Sequence, residues 1–288
     1  MIAKNLPEIT VVPRYQVERI TGIYSKLLGR TVDIEMLLPP TSPEAGKKYP
    51  LLLLNDGQDN AAVRVRETVQ QMVDEKKISE IIVAGVVAGD RLQEYGIAAA
   101  TDYKGRGRGA KNYTRYIVRE LVPYLLYRYP VDPSAEHHAI AGYSLGGLSA
   151  MDIGWNHPRL FSKIGVFSGA FWWRKRDPKS RFYSDQRDRL MHAQVRKGKF
   201  KKGLKFWFET GTEDEQNDRN KNGVIDSIDD TLDLVVELTK KGYRPFRDID
   251  YLEIKKGKHS PETWAQAMPV FLTWAFGTAL PHEEITDN

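Results

Sequence analysis

The 288-residue chain contains 41% hydrophobic and 28% charged residues and carries a net charge of +5, a balance typical of globular proteins rather than disordered or membrane-embedded chains. Its longest apolar runs, residues 51–54 and 81–87, are too short to span a bilayer, and the absence of cysteine excludes disulfides, thiolate metal sites and cysteine nucleophiles. The length fits a single α/β domain over residues 1–288, and no secretory signal is recognisable at its start.

Short β-type runs alternate along the chain with helical stretches. Strands are predicted at residues 32–38, 49–54, 81–87, 139–141, 164–167, 204–208 and 249–254. Helices are predicted at residues 110–127, 231–240 and 260–276. This alternation predicts an α/β fold with a mostly parallel central sheet of about eight strands and helices on both faces.

The segment Gly142-Tyr143-Ser144-Leu145-Gly146-Gly147 fits the G-x-S-x-G pattern of a nucleophile elbow. A predicted strand precedes it and a helix-compatible run follows, so the turn is tight and only small residues fit two positions either side of the serine. The sequence therefore predicts an α/β-hydrolase fold with Ser144 as the nucleophile. The backbone amide of Leu145, at the helix N-terminus, is expected to face a developing oxyanion.

A serine nucleophile needs an imidazole base, and in this fold the chain order is serine, acid, histidine. Of the six histidines, His259 follows a late predicted strand and lies in a flexible turn, residues 256–261, before a helix. We therefore predict His259 as the base. The acid is expected after the preceding strand, in the acidic run of residues 209–215. Asp214 is our choice there, with Glu213 and Asp218 as open alternatives.

At these residues the chain resembles the esterase D and enterochelin esterase group of α/β-hydrolases, which also contains feruloyl esterases and mycolyltransferases. The matching stretches are residues 28–30, 49–58, 90–95, 120–123, 142–147, 167–169, 211–214 and 257–260. The resemblance implies Ser144, Asp214 and His259 as a triad, and the backbone amides of Leu145 and Gln58 as the oxyanion hole. The accessory N-terminal domain of true enterochelin esterases is missing, which lowers the expectation of a siderophore substrate.

Two further segments are candidates for substrate binding. The pair Arg91 and Glu94 resembles a segment that enterochelin-esterase-like members place near the active site, so it either lines the pocket or forms a structural ion pair. Phe171, Trp172 and Trp173 are consecutive aromatic residues that cannot all face one core. We expect Trp172 or Trp173 to border the cleft, where an aromatic or sugar ring could stack.

Residues 218–229 match the template of a calcium-binding loop. The expected ligands are Asp218, Asn220, Asn222, Val224 through its carbonyl, Asp226 and Asp229, with Gly223 at the sharp turn. The alternative interpretation is an Asn-Gly turn in which Asp226 or Ser227 caps the next helix. Calcium bound here would be structural, and no cofactor is expected for catalysis.

Together these patterns predict a serine carboxylic-ester hydrolase that works through a Ser-His-Asp triad and an acyl-enzyme, on aromatic, feruloyl-like or sugar-linked esters. The alternatives are an acyltransferase with the same triad and a catalytically silent ligand- or carbohydrate-binding protein.

The basic excursion at residues 174–203 is either a solvated surface or a patch that attracts anionic ligands. Small-molecule or carbohydrate-linked esters are the expected partners, without nucleic acid or membrane. A calcium loop of modest affinity fills more readily outside the cytosol, which favours a periplasmic or secreted location.

Overall fold

The computed structural model describes residues 14–40 and 46–278, and a single eight-stranded sheet runs through them. Its strands are β1 (Gln16–Ser25), β2 (Arg30–Leu38), β3 (Leu51–Asn55), β4 (Ile82–Val86), β5 (His138–Tyr143), β6 (Lys163–Phe167), β7 (Lys205–Glu213) and β8 (Ile249–Lys258). Their order across the sheet is β1-β2-β4-β3-β5-β6-β7-β8. In this order the six strands from β4 onwards, including β3, run parallel to one another. Strand β2 is antiparallel to both β1 and β4. The predicted mostly parallel sheet of about eight strands is confirmed.

The central strands are apolar over their whole length because helices cover both faces of the sheet. Every residue of β3, β4 and β5 is buried, which is why these strands read as continuous apolar runs and not as alternating patterns. The helices are α1 (Val65–Asp74), α2 (Arg91–Glu94), α3 (Ala110–Tyr116), α4 (Val122–Arg128), α5 (Leu145–Asn156), α6 (Asp185–Asp188), α7 (Leu190–Lys197), α8 (Asp226–Lys240) and α9 (Pro261–Phe276). Short 3₁₀ turns cover Gly57–Asp59 and Ala135–His137, and a π-helical turn at Ile117–Leu121 joins α3 to α4.

The helices divide between the two faces of the sheet. Residues of α3, α4, α5, α7 and α8 share one core with one face, and residues of α1 and α9 share a second core with the other. Within the described ranges no helix is long and apolar enough to cross a membrane.

Five strands and helices have no counterpart among the predicted ones: β1, α1, α2, α6 and α7. Strand β1 pairs with β2 alone and is largely exposed, so its sequence lacks the apolar alternation of a half-buried strand. Helices α1 and α7 were also missed, because each contributes only three buried residues over two turns or more. Strand β7 ends at Glu213 and not at residue 208, so the acidic run begins inside the sheet.

The basic excursion at residues 174–203 is partly an interior feature. The Arg174 and Arg189 side chains are buried and both pair with the buried Asp230 of α8, at 3.2 and 2.9 Å. Arg219 reaches the same carboxylate at 2.7 Å. Buried charges need partners of opposite sign, so Arg174 and Arg189 tie the excursion to α8 and are not available to ligands.

Candidate active site

Parallel strands place their carboxyl ends at one edge of the sheet, and the predicted triad residues follow three of those ends. Ser144 comes directly after β5, Asp214 directly after β7 and His259 directly after β8. Asp56 and Ser168 follow β3 and β6 at the same edge. Residues far apart in sequence are thus brought to the position where ligands bind in open α/β sheets.

The backbone at Ser144 has the strained conformation of a nucleophile elbow. Its φ of 54° and ψ of −118° are unusual for a non-glycine residue, and the neighbouring backbone holds them in place. The Ser144 amide donates to the Phe167 carbonyl (2.9 Å), and the Ser144 carbonyl accepts from the amides of Leu148 and Ala170, each at 3.1 Å. The turn therefore presents the serine side chain above the sheet at the start of α5.

Two glycines allow this turn to close. A Cβ atom on Gly146 would lie 2.3 Å from Oδ2 of Asp56, and one on Gly142 would lie 2.5 Å from the backbone of Gly146. Asn55 holds the turn from the neighbouring strand, since its Nδ2 donates to the Gly146 carbonyl (2.7 Å). Gly142 and Gly146 must therefore be glycine, because the turn approaches Asn55 and Asp56 closely and its own two ends lie against each other.

His259 keeps solvent exposure at the site while one side of its ring packs on Trp264. The two rings meet edge to face with centroids 5.4 Å apart. The Trp264 indole also stacks on Tyr143, at 4.9 Å, and its Nε1 donates to Oγ of Ser168 (3.0 Å). Trp264 therefore links the turn of His259 to Tyr143, the residue that precedes Ser144.

The surroundings of His259 favour the neutral form of its imidazole. Desolvation by neighbouring groups lowers the pKa of the imidazole, and the Asp214 carboxylate opposes that effect. Burial raises the pKa of the Asp214 carboxyl, and the nearby His259 charge acts in the other direction. Neither Asp214 oxygen has a hydrogen-bond partner among the described residues. Ser144, Asp214 and His259 therefore follow three strands at one edge of the sheet, and their roles as a triad stay a prediction.

The two predicted oxyanion-hole amides belong to residues that follow β3 and β5 at the same edge of the sheet. Leu145 is the first residue of α5 and Gln58 lies in the 3₁₀ turn after β3, positions whose amides have no acceptor within their own helix. The Gln58 side chain is anchored at both ends, because its Nε2 donates to Oδ1 of Asp56 (2.9 Å) and its Oε1 accepts from the Ala88 amide (3.1 Å).

Arg91 and Glu94 do not pair with each other. The Arg91 guanidinium makes two hydrogen bonds to the buried Asp56, at 2.7 and 3.1 Å. Glu94 instead receives two hydrogen bonds from Arg30, at 2.5 and 2.6 Å. Arg91 is close enough to His259 to lower its pKa, so it borders the site, while Glu94 braces the loop from behind.

The two tryptophans after Phe171 have different surroundings. Trp173 is fully buried against Gly96 and Gly107, so its ring cannot stack on a ligand in this conformation. Trp172 remains partly exposed, and the Arg106 guanidinium lies 4.8 Å above its ring. The hypothesis of an aromatic cleft wall therefore rests on Trp172.

Four residues of the site were not singled out in the sequence: Asp56, Ser168, Glu209 and Trp264. Asp56 and Ser168 lie within stretches that carry the family resemblance, which was a usable signal. Glu209 belongs to the acidic run that seemed part of a loop but lies in β7, and Trp264 is one apolar residue among many on α9.

Polar side chains of the calcium-like loop at residues 218–229 hydrogen-bond to one another and to the loop backbone. Oδ2 of Asp229 accepts hydrogen bonds from the Nδ2 atoms of Asn220 (2.8 Å) and Asn222 (3.0 Å). Asp218 accepts from the amides of Asn222 and Gly223, and Asp226 is the first residue of α8. In the parts of the chain that the structure describes, no three His, Asp or Glu side chains form a metal-binding group. Calcium binding, through these residues and the Val224 carbonyl, stays a prediction.

If the loop binds calcium, excess Ca²⁺ should raise the melting temperature, because a ligand specific for the folded state stabilises it by about 2.7 kcal/mol at 100 times its Kd. EDTA should reverse the shift, and Asp229→Asn should abolish it. Asp250→Asn, on β8, is the control for loss of one negative charge. A melting temperature insensitive to both Ca²⁺ and EDTA would contradict the prediction.

Comparisons with known proteins agree with this architecture. The Esterase family model, described as "Putative esterase", matches residues 25–275. The uncharacterized protein YbbA of Bacillus subtilis (strain 168) is 22% identical over 250 residues, 84% of this chain and 91% of its own length.

Two solved structures superpose on most of the chain at 19% identity each. A ferulic acid esterase has a TM-score of 0.65, with 92% of this chain and 98% of that chain covered. The enterobactin esterase FES from Shigella flexneri, solved in the presence of enterobactin, has a TM-score of 0.71 over 92% of this chain and 59% of that chain. At such identities the likeness shows the fold, which is of the α/β-hydrolase type. The breadth of the family match, from the end of β1 to the last turn of α9, shows that the chain belongs to this esterase family.

Proposed function

We propose that this chain is a serine carboxylic-ester hydrolase with Ser144 as nucleophile, His259 as general base and Asp214 as the acid that orients it. The strained backbone of Ser144 is the observation that carries the proposal, since its φ of 54° is maintained by the surrounding backbone groups. Strain of this kind persists where the surroundings impose it and is concentrated at functional sites.

In the proposed reaction, Oγ of Ser144 attacks the ester carbonyl carbon while its proton passes to His259. The carbonyl oxygen becomes an oxyanion that accepts hydrogen bonds from the amides of Leu145 and Gln58. The C–O bond to the alcohol then breaks, and His259 returns the proton to the leaving alkoxide. Water, deprotonated by the same imidazole, hydrolyses the acyl-enzyme and regenerates the serine.

We further propose that the substrate carries an aromatic or sugar-linked group. The partly exposed Trp172 supports this, because it lies two residues after Ala170, whose amide donates to the Ser144 carbonyl. The ferulic acid esterase and the enterobactin esterase among the structural neighbours are named for aromatic substrates, which agrees with that choice.

The decisive experiment is incubation with a fluorophosphonate, followed by intact-mass measurement. The wild-type protein should gain one phosphonyl group, and Ser144→Ala should gain none. Ser79→Ala, a change at an exposed serine before β4, is the matched control and should be labelled like the wild type. An unlabelled wild-type protein would refute the proposal. A labelled one should then be tested on feruloyl, benzoyl, acetyl-sugar and simple acetyl esters.

A further inference from the structure

Behind the triad acid lies a second carboxyl group that the proposed reaction does not use. Glu209 is fully buried within β7, and its Oε1 atom has no hydrogen-bond partner within the described ranges. Its Oε2 atom lies 3.5 Å from Oγ of Ser168, a residue held at a φ of 45°. An interior carboxyl without an ion-pair partner is costly, so its presence requires an explanation.

Few hydrogen-bond donors surround the neighbouring carboxyl groups of Glu209 and Asp214. The Ser168 hydroxyl has one proton, which it can donate to one carboxyl group at a time, and its oxygen accepts a hydrogen bond from Nε1 of Trp264. That hydroxyl lies beside both Glu209 and Asp214 and favours the ionised form of each, as do the backbone amide of Ser168 for Glu209 and that of Gly211 for Asp214. Three carboxyl oxygens, Oε1 of Glu209 and both of Asp214, have no partner in the part of the chain that the structure describes. A proton on one carboxyl would supply the missing donor.

The surrounding charges favour Glu209 as the carrier of that proton. Burial, reinforced by the negative charge of Asp214, raises the pKa of Glu209 to about 8. Asp214 is less buried and has the His259 imidazole beside it, which favours its ionised form. Like charges at close range cannot both be maintained in the interior, so the more buried carboxyl remains neutral.

The other described elements packed around Glu209 provide no compensating cation. Strand β8 presents Tyr251, and the hydroxyl of this residue is hydrogen-bonded to the Thr210 hydroxyl. Burial raises the pKa of Tyr251, and Glu209 adds to that effect. Helix α9 presents the neutral indole of Trp264, and the end of β6 presents Ser168. No ion pair to Glu209 or Asp214 is formed by any lysine or arginine in the described ranges.

Building on the proposed triad, we propose that Glu209 is a positioning residue that shares one proton with Asp214 through the Ser168 hydroxyl. The neutral Glu209 donates toward this hydroxyl, which in turn donates to Asp214, so the triad acid is fixed in place with a single negative charge. When the pH rises, the shared proton leaves to solvent. The pair then carries two negative charges, Asp214 loses its donor, and His259 loses the orientation that catalysis requires.

The test compares Glu209→Gln with the wild type in full pH profiles of kcat and KM for p-nitrophenyl butyrate. Glutamine has the same size and keeps an N–H donor, but it cannot ionise. We expect wild-type kcat to fall on the alkaline side with a midpoint near pH 8 at constant KM. The variant should match the wild type within about threefold at pH 7 and lack that fall. Glu213→Gln, an exposed carboxyl on the same strand, should leave the profile unchanged.

A second readout follows the proton independently of catalysis. The pKa of Glu209 is higher in the folded state, so its contribution to stability is complete below about pH 4.5 and is lost as the pH rises through about 8. The wild-type melting temperature should therefore fall relative to that of Glu209→Gln over this range. If Glu209→Gln does not fold, Ser168→Ala replaces it, and an unchanged kcat in that variant would overturn the proposal.

The outcomes separate the two proposals. A wild-type protein that no fluorophosphonate labels refutes the esterase mechanism. A labelled, active wild type whose alkaline fall persists unchanged in Glu209→Gln refutes the positioning role alone. A melting-temperature difference without any change in the kcat profile also refutes that role, because Glu209 would then be a buried acid without influence on Asp214.

Discussion

The Ser144→Ala variant is expected to lose ester hydrolysis almost completely, with kcat reduced by a factor on the order of 10⁵ to 10⁶. Alanine removes the oxygen that attacks the carbonyl. Among the described serines only Ser168 also has a positive φ, and its hydroxyl accepts a hydrogen bond from Trp264, so it does not replace Ser144. Steady-state kinetics on p-nitrophenyl butyrate measure the loss. Activity above the uncatalysed rate should persist, because the Leu145 and Gln58 amides still bind the oxyanion.

The substitution should leave the fold intact, which separates loss of chemistry from loss of structure. The Ser144 backbone bonds to Phe167, Leu148 and Ala170 do not involve its side chain. The melting temperature should therefore change by a few degrees at most, and Ser79→Ala should behave as wild type in both assays. Retention of more than about a tenth of wild-type kcat by Ser144→Ala would exclude it as nucleophile.

The Asp214→Asn variant is expected to lower kcat by about 10⁴, equivalent to about 5 kcal/mol of transition-state stabilisation. An amide in this position cannot stabilise the imidazolium and can hold His259 in the wrong tautomer. It also removes the charge that opposes the lowering of the His259 pKa, so the acidic limb of the kcat/KM profile should move to lower pH. Pre-steady-state and steady-state kinetics between about pH 5 and pH 8 measure both effects.

Two matched variants distinguish Asp214 from the other acids of the run. Glu213 is exposed at the end of β7 in register with Lys258, and Asp218 binds backbone amides of the calcium-like loop. Glu213→Gln and Asp218→Asn should therefore keep kcat within about threefold of wild type. A large loss in either variant, with a small one in Asp214→Asn, would move the triad acid to that residue.

Local patterns carried the parts of the site that sequence analysis could predict. The elbow requires a strand, a tight turn and a helix within about a dozen residues, so Gly142, Gly146 and Ser144 were recognisable together. His259 was identified by the order of the last strand, the turn and the last helix. In the structure Ser144 and His259 each follow their own strand at one edge of the sheet. Their catalytic roles, like that of Asp214, stay predictions.

Long-range contacts account for what the sequence pattern missed. Arg91 binds Asp56, 35 residues earlier, and Glu94 binds Arg30, 64 residues earlier, although Arg91 and Glu94 are near neighbours in the chain. Trp264 and Ser168 are 96 residues apart. Helical or strand periodicity reports which face of an element is buried, but it does not report which distant side chain lies opposite.

The sequence by itself determined the α/β architecture and the position of the G-x-S-x-G turn, because periodicity and short motifs express the conformation of a few adjacent residues. The esterase family was indicated by resemblance of several stretches along the chain, and the family match over residues 25–275 shows it. The tertiary structure alone decided that Trp173 is interior, that Arg174 and Arg189 meet Asp230, and that Glu209 lies beside Asp214. These facts depend on the sheet order β1-β2-β4-β3-β5-β6-β7-β8, which places strands together regardless of their separation along the chain. The burial of Trp173 and Glu209 and the ion pairs of Asp230 arise only when the strands are assembled in that order.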